Sequence, residues 1–231
     1  MREKVIIGIS YVLTGILALA FVALLIIYIV IPNIMYLLLL ILDFIFLRIL
    51  VSMIVKKNHT ELLKRSVSFL IVFVLSTLFW GQVHMPISVT SRWQYPTALK
   101  YAYGFHAVST FFPEELPISA KGVRYDFFPS ILQADGHVCV EFTADEDYVK
   151  ELSNRLETEA MYVINYRELD FLNATLNTEE SDYKIINLWE GSFGNEHPDA
   201  TVYIIYTNYD CNHARFKAVF IDGNHVFFSE Q

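Results

Sequence analysis

Residues 5–31 read VIIGISYVLTGILALAFVALLIIYIVI, and residues 34–55 read IMYLLLLILDFIFLRILVSMIV. Runs this long and this apolar suit lipid. A hydrocarbon core about 30 Å thick takes roughly 20 apolar residues of helix. One helix over both runs would be about 75 Å long, far beyond any bilayer. Pro32 separates them, because it lacks a backbone donor and restrains Ile31 before it. The pair therefore reads as a helical hairpin with a very short turn. Residues 66–83 form a third apolar run, so the expected spans are 5–31, 34–55 and 66–84. A cleaved leader fits poorly. Ala18-Leu19-Ala20 has the small residues of a cleavage site, but Phe21-Val22-Ala23-Leu24-Leu25 continues the apolar run where a polar mature terminus should begin.

The basic residues set the expected orientation. Arg2 and Lys4 precede the first run, and Lys56, Lys57, Lys64 and Arg65 fill the loop between the second and third. The Pro32-Asn33 turn has none. Cytoplasmic loops carry the excess of Lys and Arg, so both basic segments face the cytoplasm. Tyr28, Tyr36 and Trp80 then fall near the outer interface, where amphipathic aromatics are favoured. The expected topology has the amino terminus inside and residues 86–231 outside the cytoplasm.

Two charges lie inside the second run, Asp43 and Arg48. Each costs about 2.5 to 3.5 kcal/mol at the centre of a membrane helix. Five positions of separation turn them about 140° apart, so they do not pair along the helix. Arg48 can snorkel toward the cytoplasm; Asp43 is too short and needs a donor or a proton. Counting from the cytoplasmic ends places Asp43 near Ser76 and Thr77, and Arg48 near Thr14. Ser10, Thr14 and Ala18 give the first helix a small-residue face for close packing. These residues are read as a polar clasp or a partner contact, against a proton or ion relay, because three helices rarely enclose a pathway.

Beyond Met85 the composition changes. Residues 1–85 hold seven basic and three acidic side chains, and the rest hold ten and twenty-two, so the two parts carry +4 and −12. An acidic domain disfavours nucleic acid and anionic headgroups as partners. Simple solubility explains it as well. Its 25 aromatic residues require a folded domain. Residues 96–111 are expected as a helix after Tyr95-Pro96. Val123, Tyr125 and Phe127 alternate, as do Val138, Val140 and Phe142, so both segments read as half-buried strands. Thr143-Ala144-Asp145-Glu146 resembles a capping box opening an acidic helix to about residue 160. A strand is expected at 184–189. Residues 201–208, 214–221 and 225–229 read as an antiparallel meander with an Asp222-Gly223-Asn224 turn. The expected architecture is a three-helix membrane bundle (1–85) followed by an extracytoplasmic α+β domain with antiparallel sheet (86–231). No internal repeat and no low-complexity linker is present.

Few residues carry recognisable chemistry. Cys139 and Cys211 are the only cysteines. A disulfide between them would close a loop of about 71 residues and stabilise by about 4 kcal/mol on the chain-entropy account; the alternative is two free thiols. His197, Asp199, Asp210, Cys211, His213, Asp222 and His225 gather late in the chain. They are zinc-ligand types, with His197, Asp199, His213 and His225 the closest to a ligand set. Their spacing matches no compact motif, and turn polarity accounts for them, so no metal or other cofactor is expected. Gly191-Ser192-Phe193-Gly194 misplaces its serine for a nucleophile elbow, and no phosphate-binding glycine loop occurs. Asn173-Ala174-Thr175 fits a glycosylation sequon, relevant only in a eukaryotic secretory pathway. The expected function is a membrane-anchored, non-enzymatic binding protein whose partners are the bilayer and a protein, peptide or envelope component. An accessory subunit docking a transporter or kinase through Asp43 and Arg48 is the first alternative. A metal-dependent ectoenzyme is the second.

Overall fold

A computed structural model describes residues 2–80, 85–103, 111–130, 136–168, 196–210 and 213–231. The chain divides into two compact units, Met1–Met85 and Pro86–Gln231. The expected strand at 184–189, the sequon and the Gly191–Gly194 segment lie outside the described residues.

The first unit is three helices, α1 (Arg2–Val30), α2 (Ile34–Val55) and α3 (His59–Trp80), each packed on the other two. Buried positions recur at spacings of three, four and seven. They include Ser10, Leu17 and Leu24 on α1, Leu39, Asp43, Phe46 and Leu50 on α2, and Leu62, Ser66 and Phe73 on α3. That spacing keeps one seam of each helix facing its partners, as in a coiled coil. The Asn33 side chain accepts from the Met35 N–H (2.7 Å) and caps α2 at the hairpin turn. At the second turn Lys57 takes a left-handed conformation (φ 55°). Its N–H donates to Ile54 (3.0 Å) while Asn58 N–H donates to Met53 (3.1 Å), the Schellman pattern with lysine where glycine is usual.

Two of these helices, over Lys4–Val30 and Ile34–Val55, are long and apolar enough to cross a membrane. The third expected span differs. Its helix starts at His59, seven residues before the apolar run, because Asn58 caps it by accepting from Glu61 N–H (3.3 Å). Its first two turns therefore carry Glu61, Lys64 and Arg65.

The second unit is built on one seven-stranded antiparallel sheet. Its strands are β1 (Ile87–Val89), β2 (Lys121–Phe128), β3 (His137–Thr143), β4 (Tyr162–Asn165), β5 (Thr201–Asp210), β6 (His213–Asp222) and β7 (His225–Glu230). The spatial order is β1-β2-β3-β7-β6-β5-β4. Helices α4 (Tyr95–Ala102) and α5 (Glu146–Glu159) complete it. Register assigns the faces, since directly opposed residues point the same way. One face carries Tyr125, Phe127, Val140, Phe142, Val219 and Phe228. Helix α4 covers it at the β1–β2 end, with Tyr95 edge-on to Tyr125 (5.7 Å) and Tyr101 edge-on to Phe127 (6.0 Å). Tyr148 of α5 lies against Phe142 (6.1 Å). The opposite face carries a second core of Cys139, Val202, Ile204, Phe216, Ala218, Phe220 and Phe227. Two-sided burial explains the unbroken apolar runs Ala218–Ile221 in β6 and Val226–Phe228 in β7.

The meander is present, its strands one or two residues longer than expected, with Gly223 at positive φ (54°) in the β6–β7 turn. Three local expectations are corrected. The cap of α5 is Asp145, whose carboxylate accepts from Tyr148 N–H (2.9 Å); Thr143 is held in β3 opposite His225 and cannot cap. That hydrogen bond holds the Asp145 carboxyl below the usual range. Helix α4 has eight residues, ending at Ala102. Strands β1 and β4 were not anticipated, being only three and four residues long.

Candidate functional site

Among the described residues, the side chains of Ser10, Thr14, Thr77 and Asp43 make no hydrogen bond from one helix to another. Thr14 donates to Ser10 O (2.9 Å), Ser10 to Ile6 O (2.8 Å) and Thr77 to Phe73 O (2.8 Å). These are bonds back to the residue four positions earlier, which satisfy a hydroxyl within its own helix. Ser76 is half-buried and Thr77 exposed. Asp43 is fully buried in the bundle, yet neither carboxyl oxygen has a hydrogen-bond partner among the described residues. The expected contact with Ser76 or Thr77 is absent for a reason of register. Phe44 lies beside Phe21 (6.3 Å), and Phe46 stacks on Phe69 (4.1 Å). Antiparallel counting from those contacts puts Asp43 level with Val22 and Val72. Ser76 is four residues further along α3, about 6 Å. The earlier start of α3 shifts its hydroxyls past the carboxyl, and by the same count the buried positions closest to its level are Leu24 and Phe73. Arg48 lies on the outward surface of α2 and makes no ion pair among the described residues.

Cys139 is a free thiol, which decides against the Cys139–Cys211 disulfide among the two readings left open for it. Cys211 itself lies outside the described residues. Cys139 sits in the row Asp126–Cys139–Ser229–Ala218 across the middle of the sheet. Burial, reinforced by the Asp126 carboxylate, pushes the Cys139 thiol up to about 12. Burial likewise raises the phenols of Tyr95 and Tyr125, which donate to the carbonyls of Pro113 (2.8 Å) and Ala98 (3.2 Å).

A pH dependence follows from these three groups. Each is an acid with a raised value in the fold, so its stabilisation is complete below its unfolded value and is lost as pH rises above it. The loss begins near pH 8.5 for cysteine and near 10 for tyrosine, at up to about 1.4 kcal/mol per pH unit for each group. Urea midpoints of the sheet domain are expected to fall steadily above about pH 8.5, with Cys139→Ala removing the earliest part of the fall. A flat profile to pH 11 would contradict this assignment.

The late polar residues separate into three places. His197 Nδ1 is 2.7 Å from Asp222 Oδ2, and its ring lies 4.6 Å from that of His225. This group ties the chain before β5 to the β6–β7 turn. Asp199 pairs instead with Arg167 (2.8 Å). His213 opens β6, nine residues from Asp222 and therefore about 30 Å away along the strand. Among the described residues no three His, Cys, Asp or Glu side chains are grouped to hold a metal ion.

The described residues include two clefts that were not legible in the sequence. A groove of about 500 Å³ lies between α5 and the sheet, lined by Phe111, Arg155, Leu156, Glu159, Tyr206 and Lys217. Strand β5 departs from regular register at Ile205, which also lines this groove. Its charges are matched within the domain: Lys217 pairs with Glu230 (3.2 Å), which accepts from Tyr103 Oη (2.6 Å). A larger cleft of about 610 Å³ is lined by Ser91, Arg92, Trp93, Pro96, Glu115 and Leu116. Trp93 is 60% exposed, and Ile118, two residues beyond Leu116, is 88% exposed. The cleft joins segments about twenty residues apart in sequence, so no local pattern announces it. Comparison with family models, curated proteins and solved structures finds no match to this chain.

Proposed function

We propose that this chain is a membrane-anchored extracytoplasmic binding protein. Its three helices cross the bilayer, α3 through the apolar part beyond Arg65, with the amino terminus in the cytoplasm and the sheet domain outside. The outward surface of the bundle supports immersion. Val12, Leu19, Leu75 and Leu78, from the first and third helices, are each exposed by 61 to 73%. Water disfavours so large an apolar surface, and lipid does not. The basic residues at the α1 start and the α2–α3 turn support the orientation.

One observation carries the binding role: an exposed tryptophan lining the 610 Å³ cleft, with arginine beside it and Ile118 close in sequence to its far wall. Aromatic and arginine side chains anchor interfaces because they combine large contact area with a polar handle. The partner class is a protein, peptide or envelope component. A photo-crosslinking residue at position 93 in intact cells tests this. A discrete adduct at 93, absent from the same residue at position 157 on exposed α5, is the expected result. Identical patterns at both positions would overturn the role of the cleft.

A further inference from the structure

We propose that the outward face of α2 holds an anionic phospholipid headgroup on a stripe of Arg48, Ser52 and Lys56. This rests on α2 crossing the bilayer. The three residues follow one another at spacings of four, which places them on one side of the helix. All three are exposed, whereas the buried seam of α2 runs through Leu39, Asp43, Phe46 and Leu50 on the other side. Lys56 keeps a right-handed conformation (φ −78°, ψ −1°), so it continues the stripe past the last helical turn.

Charge decides the occupant. Arg48 lies inside the apolar span and has no ion pair among the described residues. The only carboxylate in α2 is Asp43, which points into the bundle. Glu61, the nearest acidic residue beyond the turn, is engaged by Lys64 (3.3 Å). A guanidinium facing hydrocarbon needs an anion or water. Snorkelling toward the cytoplasm covers only part of the distance, because the Cα–Cβ bond of Arg48 tilts toward the helix amino terminus, away from the near interface. From Arg48 to Lys56 the helix rises about 12 Å. A phosphodiester drawn down along Ser52 accepts from the guanidinium below and the ammonium above, each a charge-assisted bond. A zwitterionic lipid offers the same phosphate but brings its own cation next to Lys56. The stripe therefore selects a headgroup with net negative charge.

The test uses the full chain, purified in detergent and titrated with phosphatidylglycerol or phosphatidylcholine, with bound lipid counted by native mass spectrometry. The wild type is expected to retain phosphatidylglycerol roughly tenfold better than phosphatidylcholine. Arg48→Gln and Lys56→Gln should each remove that preference. Lys64→Gln, with the same change in net charge, should leave it intact. Equal retention of both lipids by the wild type, or an unchanged preference in Arg48→Gln, would overturn the proposal. So would loss of a co-purifying protein in Arg48→Gln with lipid retention unchanged, which would assign the stripe to a partner subunit. Carbonate extraction of membranes separates the two claims. Failure of the lipid test with the chain still resistant to extraction sinks the headgroup site alone, whereas release by carbonate sinks the membrane reading as well.

Discussion

Phe228→Ala is expected to cost the sheet domain about 3 to 5 kcal/mol, the usual loss for truncating a buried phenylalanine. Phe228 is fully buried on β7, the central strand, opposed by Val140 on one side and Val219 on the other. Phe111 (5.6 Å), Phe112 (6.1 Å) and Phe142 (6.3 Å) surround its ring. Those neighbours come from two strands and a connecting segment, so no single rotamer change can refill the space. Domains of this size are typically stable by about 5 to 15 kcal/mol, which makes this loss a large share of the total. The readout is the urea midpoint of the full chain in nanodiscs by near-ultraviolet circular dichroism. A shift equivalent to less than about 1 kcal/mol would show that this aromatic cluster does not hold the sheet together.

Asp43→Leu is expected to act in the opposite direction and stabilise the helical unit by about 1 to 3 kcal/mol, the cost of a buried polar group left without a partner. Leucine at this position continues the apolar seam from Leu39 to Leu50. Its larger side chain offsets part of the gain through crowding against Leu24 and Phe73. Asp43→Asn, which keeps the shape and a polar group, should change stability less. Unfolding of the bundle in mixed micelles measures both variants. Loss of stability in Asp43→Leu would mean that the carboxyl is satisfied in the membrane by water or a partner chain. A more stable variant that no longer supports the cross-link at position 93 would show that Asp43 is kept for function at the expense of stability.

The sequence was most legible where one physical pattern dominated. The two apolar runs and the proline between them mark α1 and α2 to within a few residues, because lipid length and proline chemistry leave few alternatives. Strict alternation in Val123–Phe127 and Val138–Phe142, and the glycine at the β6–β7 turn, likewise mark strands that the sheet contains. Competing local signals were harder to rank. Thr143 and Asp145 both have capping side chains, and strand pairing of Thr143 with His225 leaves the cap to Asp145. The polar turns of α3 hid its true start, and the resulting error in depth placed Ser76 beside Asp43. Short edge strands such as β1 and β4 have too few residues for periodicity to register. The cleft around Trp93 depends on which distant loops meet, information that resides in the assembled sheet and in no local stretch of sequence.

The central claim is the topology, and cysteine labelling with a membrane-impermeant maleimide tests it most directly. In a chain lacking Cys139 and Cys211, one variant carries Lys57→Cys in the α2–α3 turn and another carries Ile118→Cys, a position 88% exposed on the sheet domain. Position 118 is expected to label on intact cells, and position 57 only after the membrane is permeabilised. Labelling of position 57 from outside, or protection of position 118 in intact cells, would contradict it.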